Sequence, residues 1–325
     1  MKALVTGGAG FVGTNLVNRL LSDGHDVISM DNYSTGSTKN HQKGCRYLDF
    51  DCTDTESWKQ ADEFWEGNVP DVIFHMAALA RIQPSIKDPI PAIRNNFDST
   101  LNILEYARIN DIKVVFAGSS SYHHGLYESP YAWSKHSGEQ LCKLYSNVYD
   151  VSTVICRFYN VYGNHQILTG EYATVIGIFC DQYFNEKPLT IVGDGEQRRD
   201  FTHVDDIVDG IVKASKGTWK AETFELGTGH NYSLNEIAKY YGKDYPVKYI
   251  PARPGEYDVT LCDYFKAHNE LGYQPTGNIQ LWIREFIQEV EHVGPLVISE
   301  GKFNYDHVVD DAGVDIKTGK YVGDA

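Results

Sequence analysis

The most constraining stretch is "LVTGGAGFVGTNL", in which Gly7, Gly8, Gly10 and Gly13 part a short apolar run from an amphipathic one. The run before it, "KALVTGG", reads as a buried strand. The run after it, "GTNLVNRLLSDG", spaces its apolar residues as a helix does and ends near Gly24. Glycines at such a strand-to-helix turn let the backbone approach a diphosphate, which then faces the positive end of the helix. A second strand, "DVISMD", ends on Asp31, 18 residues past Gly13. A carboxylate there accepts hydrogen bonds from an adenosine ribose and repels a 2′-phosphate. The expectation is an NAD site, not an NADP site, that includes Gly7, Gly10, Phe11, Val12, Gly13, Asp31 and Asn32. The alternative is a glycine turn and a chance Asp in a nucleotide-free domain.

The same alternation continues. "CRYLDFD", "DVIFHMAA" and "KVVFAGSS" read as further strands, and "FDSTLNILEYARIND" as a helix between the last two. Short β-rich runs separated by helices predict an α/β fold, a doubly wound parallel sheet with helices on both faces. A helix over 131–149 and the strand "STVICRFYNVYG" extend the pattern to Gly163. Residues 1–163 are then a dinucleotide-binding domain, and a strand near 223–229 ("TFELGTG") returns to it. Residues 164–294 read mainly as a smaller α/β substrate-binding lobe. Residues 295–325, polar and acidic, read as a C-terminal extension.

Charge excludes some partners. With 29 basic and 44 acidic residues, the formal charge is −15, which disfavours nucleic acid. No apolar run is long enough to span a membrane, so the chain reads as cytoplasmic. The six cysteines are scattered without a CxxC pair, and no metal site is expected.

"SSSYHHGLYESPYAWSK" (119–135) holds the chemistry. Tyr131 and Lys135 lie four residues apart at a helix start, on one face. A lysine ammonium near a phenol favours the phenolate, so the Tyr131 pKa should fall and the residue can act as a general base. Ser120, at a strand end, can hydrogen-bond the reacting oxygen.

Together these residues resemble the extended short-chain dehydrogenase/reductase family, in particular its NAD-dependent nucleotide-sugar 4-epimerases. The likeness spans roughly 1–293. It rests on "TGGAGFVG", Asp31, "FHMAA" (Phe74–Ala78), Asn95–Asn96, the serine run, "YAWSK", "RFYNVYG" (Arg157–Gly163) and "RDFTHVDD" (Arg199–Asp206). The resemblance implies a Rossmann-type fold. It implies Asp51 and Cys52 beside adenine, and Ala77, Ala78, Leu79 and Asn95 along the dinucleotide. Tyr159 would pack near the nicotinamide, with Tyr131 and Lys135. Asn160 would contact the substrate phosphates. Thr174 and Val175, in the "YATVI" segment (Tyr172–Ile176), would cover the sugar nucleotide. Arg199, Arg253 and Glu256 would hold its diphosphate and nucleoside. Helices near 92–110 and 131–149, with Ile103, Leu104, Leu141 and Leu144, would pair two copies in a four-helix bundle.

The residues after Ser120 discriminate among reactions. Dehydratases of this family carry Asp-Glu there, and decarboxylases a glutamate. Here stand Ser121 and Tyr122, which carry no carboxylate. The implied reaction is inversion at C4 of a UDP-hexose: Tyr131 takes the C4 hydroxyl proton, a 4-keto sugar turns in the site, and hydride returns to its other face. Thr260 aligns with a position where a bulky aromatic narrows some epimerase pockets, so UDP-GlcNAc/GalNAc is expected to fit as well as UDP-Glc/Gal. A UDP-glucuronate epimerase or decarboxylase, or a 4,6-dehydratase, is the rival enzyme. An NAD-binding sensor is the non-enzymatic rival, although such proteins usually lack the Tyr/Lys pair. Two departures stand out. Only "LYESP" links Gly125 to Tyr131, which would open one side of the sugar site. His123 and His124 replace a Val-Tyr pair; on a strand they would face opposite ways. Either they are structural, or His124 touches substrate beside Tyr122.

Overall fold

The computed structural model describes residues 1–56, 58, 65, 69–123 and 125–293. His124 and the 295–325 extension lie outside the described residues. The early strands are β1 (Lys2–Thr6), β2 (Asp26–Asp31), β3 (Arg46–Asp49), β4 (Val72–His75), β5 (Lys113–Ser119) and β6 (Thr153–Phe158). With β11 (Lys220–Leu226) they form one seven-stranded sheet in the order β11-β6-β5-β4-β1-β2-β3. Every neighbouring pair is parallel. The core strands are buried on both faces, as in "VIFH" of β4, because helices cover both. The strand order reverses between β1 and β4, which opens a crevice at their carboxyl ends.

Helix α1 (Phe11–Ser22) buries Leu16, Val17 and Leu20 against this sheet. Three other helices matter for the site: α2 (Ile82–Lys87), α3 (Pro89–Asn110) and α4 (Pro130–Tyr149). The start of α4 is encoded locally. The Ser129 side chain caps the Ala132 N–H at 3.1 Å, and Pro130 occupies the first turn. Gly138 lets α4 lie close on β5, where a Cβ would meet Phe116 Cζ at 2.5 Å.

The serine run departs from expectation. Strand β5 ends at Ser119, and Ser120–His123 form a 3-10 turn, so His123 is not on a strand. The expected dimer residues Ile103 and Leu104 are fully buried in this chain's own core, whereas Leu144 is exposed. A separate apolar cluster includes Tyr162, Phe179, Ile191, Ile237, Ile283 and Phe286. It lies among helices α5 (Val175–Phe184), α7 (Leu234–Tyr240) and α9 (Ile279–Val293). Between them in sequence, α6 (Val204–Ser215) packs under the sheet, and β8 (Leu189–Val192) pairs with β13 (Val247–Ile250). No helix among the described residues is long and apolar enough to cross a membrane.

Candidate active site

A cavity of about 840 Å³ runs from the crevice between β1 and β4 to the segments after β6 and β13. Its first end is made by the glycine turn. Gly7 takes a positive φ of 70°, and a Cβ there would lie 2.8 Å from the Ala77 backbone. A Cβ on Gly13 would sit 2.0 Å from the Gly7 carbonyl oxygen. Only glycine fits either place, and the α1 amino terminus is left open to an anion. Asp31 anchors the turn: its carboxylate accepts from Ala9 N at 2.9 Å and from Tyr33 N at 2.8 Å. Asn32 donates to Asp51 at 3.1 Å, and Thr53 also bonds Asp51, which holds that carboxyl below its ordinary range despite its burial. Phe11, Val12, Gly10, Cys52, Ala77, Ala78 and Asn95 line the same end. So does Ser99, whose buried hydroxyl has no hydrogen-bond partner among the described residues. A backbone cradle closed to any Cβ, an acid at the end of β2 and an orphaned hydroxyl together fit an adenine dinucleotide.

The second end centres on Tyr131. Its hydroxyl donates to Ser119 Oγ at 3.4 Å, and Ser121 donates to Ser119 at 2.9 Å. Ser120 lines the cavity too, but its hydroxyl makes no hydrogen bond among the described residues. The serine that reaches Tyr131 is thus Ser119, one residue before the expected one. Strand β5 ends at Ser119 and the chain turns from Ser120 on, so the place where the strand ends decides which hydroxyl reaches Tyr131.

The electrostatics also differ from expectation. Burial pushes the Tyr131 phenol up, opposed by the Ser119 hydrogen bond and by the charge of Arg81. The Lys135 ammonium is not among these influences. It stands buried over the Phe116 ring, 4.6 Å from its centroid, and burial lowers it to about 8 against the pull of Glu139. No sequence reasoning singled out Arg81. It follows β4, lines the cavity, and donates Nε to the Tyr172 carbonyl and Nη1 to the Ala80 carbonyl, each at 2.9 Å.

Below this end lies a buried ion network. Arg157 makes a bidentate pair with Glu139, at 2.9 and 2.6 Å, and reaches Glu225 at 2.8 Å. His123 joins Glu225 at 2.8 Å, and Tyr159 donates to Glu225 at 3.0 Å. The Tyr122 ring lies under the Arg157 guanidinium, 3.4 Å from centroid to Cζ. Tyr122, Tyr159 and Lys135 therefore support the site from behind and do not line the cavity. Leu79 also stands off the main cavity, bonded through its N–H to Asn96 at 2.8 Å.

The third region is the end of the cavity at the segments after β6 and β13. Arg199, Arg253, Glu256, Thr174, Val175, Asn160 and Thr260 line it. Arg199 pairs with Glu256 at 3.3 Å, while the neighbouring Asp200 turns away to accept from Thr228 and Cys262. Both Asn160 amide hydrogens are engaged, with the Asp200 carbonyl and Thr260 Oγ1 at 3.1 Å each. The short "LYESP" link forms a tight turn, Glu128 N to Gly125 O at 2.9 Å. Tyr257 comes within 3.3 Å of the Gly125 Cβ position and also lines the cavity, so this side is closed by the other half of the chain.

Comparison with known proteins shows the family. Residues 3–227 match the family described as NAD dependent epimerase/dehydratase. A UDP-glucose 4-epimerase of Mycolicibacterium smegmatis is 33% identical over 298 residues, 85% of this chain and 94% of the relative. The crystal structure of a UDP-glucose 4-epimerase with UDP-glucose from Thermotoga maritima superposes with a TM-score of 0.83 at 28% identity, covering 90% of this chain and 100% of that one. A UDP-glucuronic acid 4-epimerase from Bacillus cereus, in complex with UDP-glucuronic acid and NAD, gives 0.78 at 28% identity, covering 89% and 100%.

Proposed function

Because the chain belongs to the NAD-dependent epimerase/dehydratase family, we propose that it inverts C4 of a UDP-linked hexose. Its cofactor is NAD, held by the Gly7–Gly13 turn and Asp31. Bound NAD supplies the acceptor, and then the donor, of the C4 hydride.

The protein's own part is to hold the sugar and move one proton. Tyr131, as phenolate, takes the proton of the C4 hydroxyl and later returns it to the same oxygen. Ser119 holds that oxygen or the phenol in line, with Ser120 beside it on the cavity wall. Arg81 favours the phenolate against the burial that opposes it. Arg199 and Arg253 take the diphosphate as charge-assisted donors, and Glu256 orients Arg199. Inversion needs the sugar to present both faces, so its pocket must be roomier than a single pose requires. Thr260, small and bonded to Asn160, leaves space that an N-acetyl group can use.

The observation that supports this reading best is that the serine run facing Tyr131 on the cavity wall, Ser119 to Ser121, brings no carboxylate beside it. Elimination of water and loss of a carboxyl group need further proton carriers near the sugar. The test is incubation of the purified protein with UDP-, GDP- and dTDP-sugars, with products resolved by NMR. C4 epimers alone support the reading. A 4-keto-6-deoxy sugar or a pentose product overturns it, and no turnover of any sugar returns the NAD-sensor alternative.

A cytoplasmic enzyme and a homodimer belong to the same proposal. The outward residues of α4, Trp133, Leu144, Val148 and Tyr149, are apolar and exposed, and suit a second copy. Light scattering of the purified chain reads its mass directly.

A further inference from the structure

We infer that Ser85 is a positioning residue for the reaction: its buried hydroxyl holds the backbone of Tyr131 and so sets where the phenol meets Ser119. This deepens the 4-epimerase reading and rests on it for the part that Tyr131 plays.

The first turn of a helix leaves its N–H groups without partners inside the helix. In α4 the chain's own cap serves its neighbours but not Tyr131. Pro130 has no N–H, Ala132 donates to Ser129 Oγ at 3.1 Å, and Trp133 donates to the Ser129 carbonyl at 3.1 Å. The Tyr131 N–H donates instead to Ser85 Oγ at 3.2 Å, across 46 residues of sequence. Ser85 is 2% exposed, whereas Ile86 and Lys87 beside it are exposed. A buried hydroxyl is costly unless it is bonded, and this one is used both ways. Its O–H donates to the Ile82 carbonyl at 2.7 Å, and its oxygen accepts from Tyr131. An alanine there would leave the amide of the reacting tyrosine without that acceptor.

The contact that this anchor governs is marginal. The Tyr131 hydroxyl stands 3.4 Å from Ser119 Oγ, at the outer reach of a hydrogen bond. A shift of the first turn of α4 by about half an ångström breaks it, and proton transfer depends steeply on such placement. The anchor is itself held. Helix α2 has only six residues, too few to stay helical by themselves. Gln83 Nε2 donates to the Pro254 carbonyl at 2.8 Å, and Arg81, just before α2, donates Nε to the Tyr172 carbonyl at 2.9 Å. Both acceptors belong to segments that line the cavity. The place of Tyr131 is thereby tied, through Ser85, to segments at the other end of that cavity.

The experiment compares Ser85→Ala and Ser85→Thr with wild type on the full-length protein, using a UDP-sugar that wild type epimerises. Threonine keeps a hydroxyl able to bond the carbonyl one turn back. Turnover is read as kcat and KM. The Tyr131 phenol is titrated by NMR of isotope-labelled tyrosine, its signal assigned by its loss in Tyr131→Phe. In Ser85→Ala, kcat is expected to fall about tenfold, with KM within about twofold of wild type. The Ser119 hydrogen bond opposes the burial that pushes Tyr131 up, so loosening it moves the titration, and the acid limb of the kcat profile, to higher pH. Arg81 and Tyr257, whose charges interact with Tyr131, are the same in every variant. Ser85→Thr is expected to keep most of kcat and the wild-type titration. A Ser85→Ala kcat equal to wild type overturns the inference and leaves the 4-epimerase reading standing. So does a loss of kcat with a lower urea midpoint and an unmoved Tyr131 titration, which marks a serine that only stabilises the fold. If Ser85→Ala does not fold, Ser85→Cys, with its weaker acceptor, is read by the same criteria. If wild type yields no C4 epimer, the 4-epimerase reading falls and the titration alone decides: a move to higher pH in Ser85→Ala supports the anchor, and no move overturns it.

Discussion

The two ends of the cavity are built by different means. The dinucleotide end is built around one continuous piece, β1, the glycine turn, α1 and the end of β2, with Cys52, Ala77 and Asn95 added from later segments. It works through backbone, and a single methyl at Gly13 would collide with the Gly7 carbonyl at 2.0 Å. The reaction end gathers separate segments: Arg81 after β4, Ser119 at the end of β5, Tyr131 in α4, Tyr172 before α5 and Tyr257 after β13. It works through side chains whose charge states are set by burial and by one another. Changes at the first end should therefore alter cofactor affinity and leave the pH dependence of the chemistry alone. Changes at the second end should do the reverse.

Four substitutions probe that division. The largest effect is expected from Tyr131→Phe, with turnover lower by roughly 10²- to 10⁴-fold, the usual contribution of a general acid–base group. NAD should still co-purify with this variant; its loss would show that the two ends are not separable. Next is Glu139→Ala. It leaves Arg157 buried without its bidentate partner, and breaking such a pair costs about 3–5 kcal/mol of stability, readable in a urea titration. An unchanged midpoint would mean that Glu225 alone satisfies Arg157. Third, Asp31→Ala should weaken NAD by roughly 10- to 100-fold through lost charge-assisted hydrogen bonds, and narrow the discrimination against NADP. The pH profile of turnover at saturating NAD should not move, and a shifted profile would break the comparison.

The last test concerns Lys135. Its pKa is lowered from 10.5 to about 8. Between those values the unfolded chain holds a proton that the folded chain has released, so this group makes stability rise with pH across the window. Lys135→Met should flatten that rise in denaturation midpoints measured across it. A rise equally steep in the variant would assign the slope to other groups.

Legibility in the sequence followed the same division. The turn, Asp31 and the start of α4 could be read because each depends on neighbours in the chain: glycine spacing, a strand end, Ser129 before Pro130. Tyr131 could be read for the same reason. Other features depended on what folds against them. Ser120 and Ser119 are indistinguishable until the last strand residue is known. Lys135 was expected to lower the Tyr131 pKa, yet it faces Phe116 and Glu139 and is itself lowered by burial. Tyr122 was placed at the sugar and lies instead under Arg157. Arg81, in "AALARI" before a short helix, belongs to no motif that the sequence alone singles out.

The sequence by itself determined an α/β chain with a dinucleotide turn, an acid at the end of the second strand, and a tyrosine four residues before a lysine at a helix start. Local backbone preferences and hydrophobic period suffice for these, because both act over a few residues. Tertiary structure alone decided which serine meets Tyr131, which cation acts on it, and that Tyr257 closes the side left by a short loop. Those outcomes depend on burial and on distances between segments far apart in the chain, and electrostatic influence in a low-dielectric interior follows distance in space, not order along the chain.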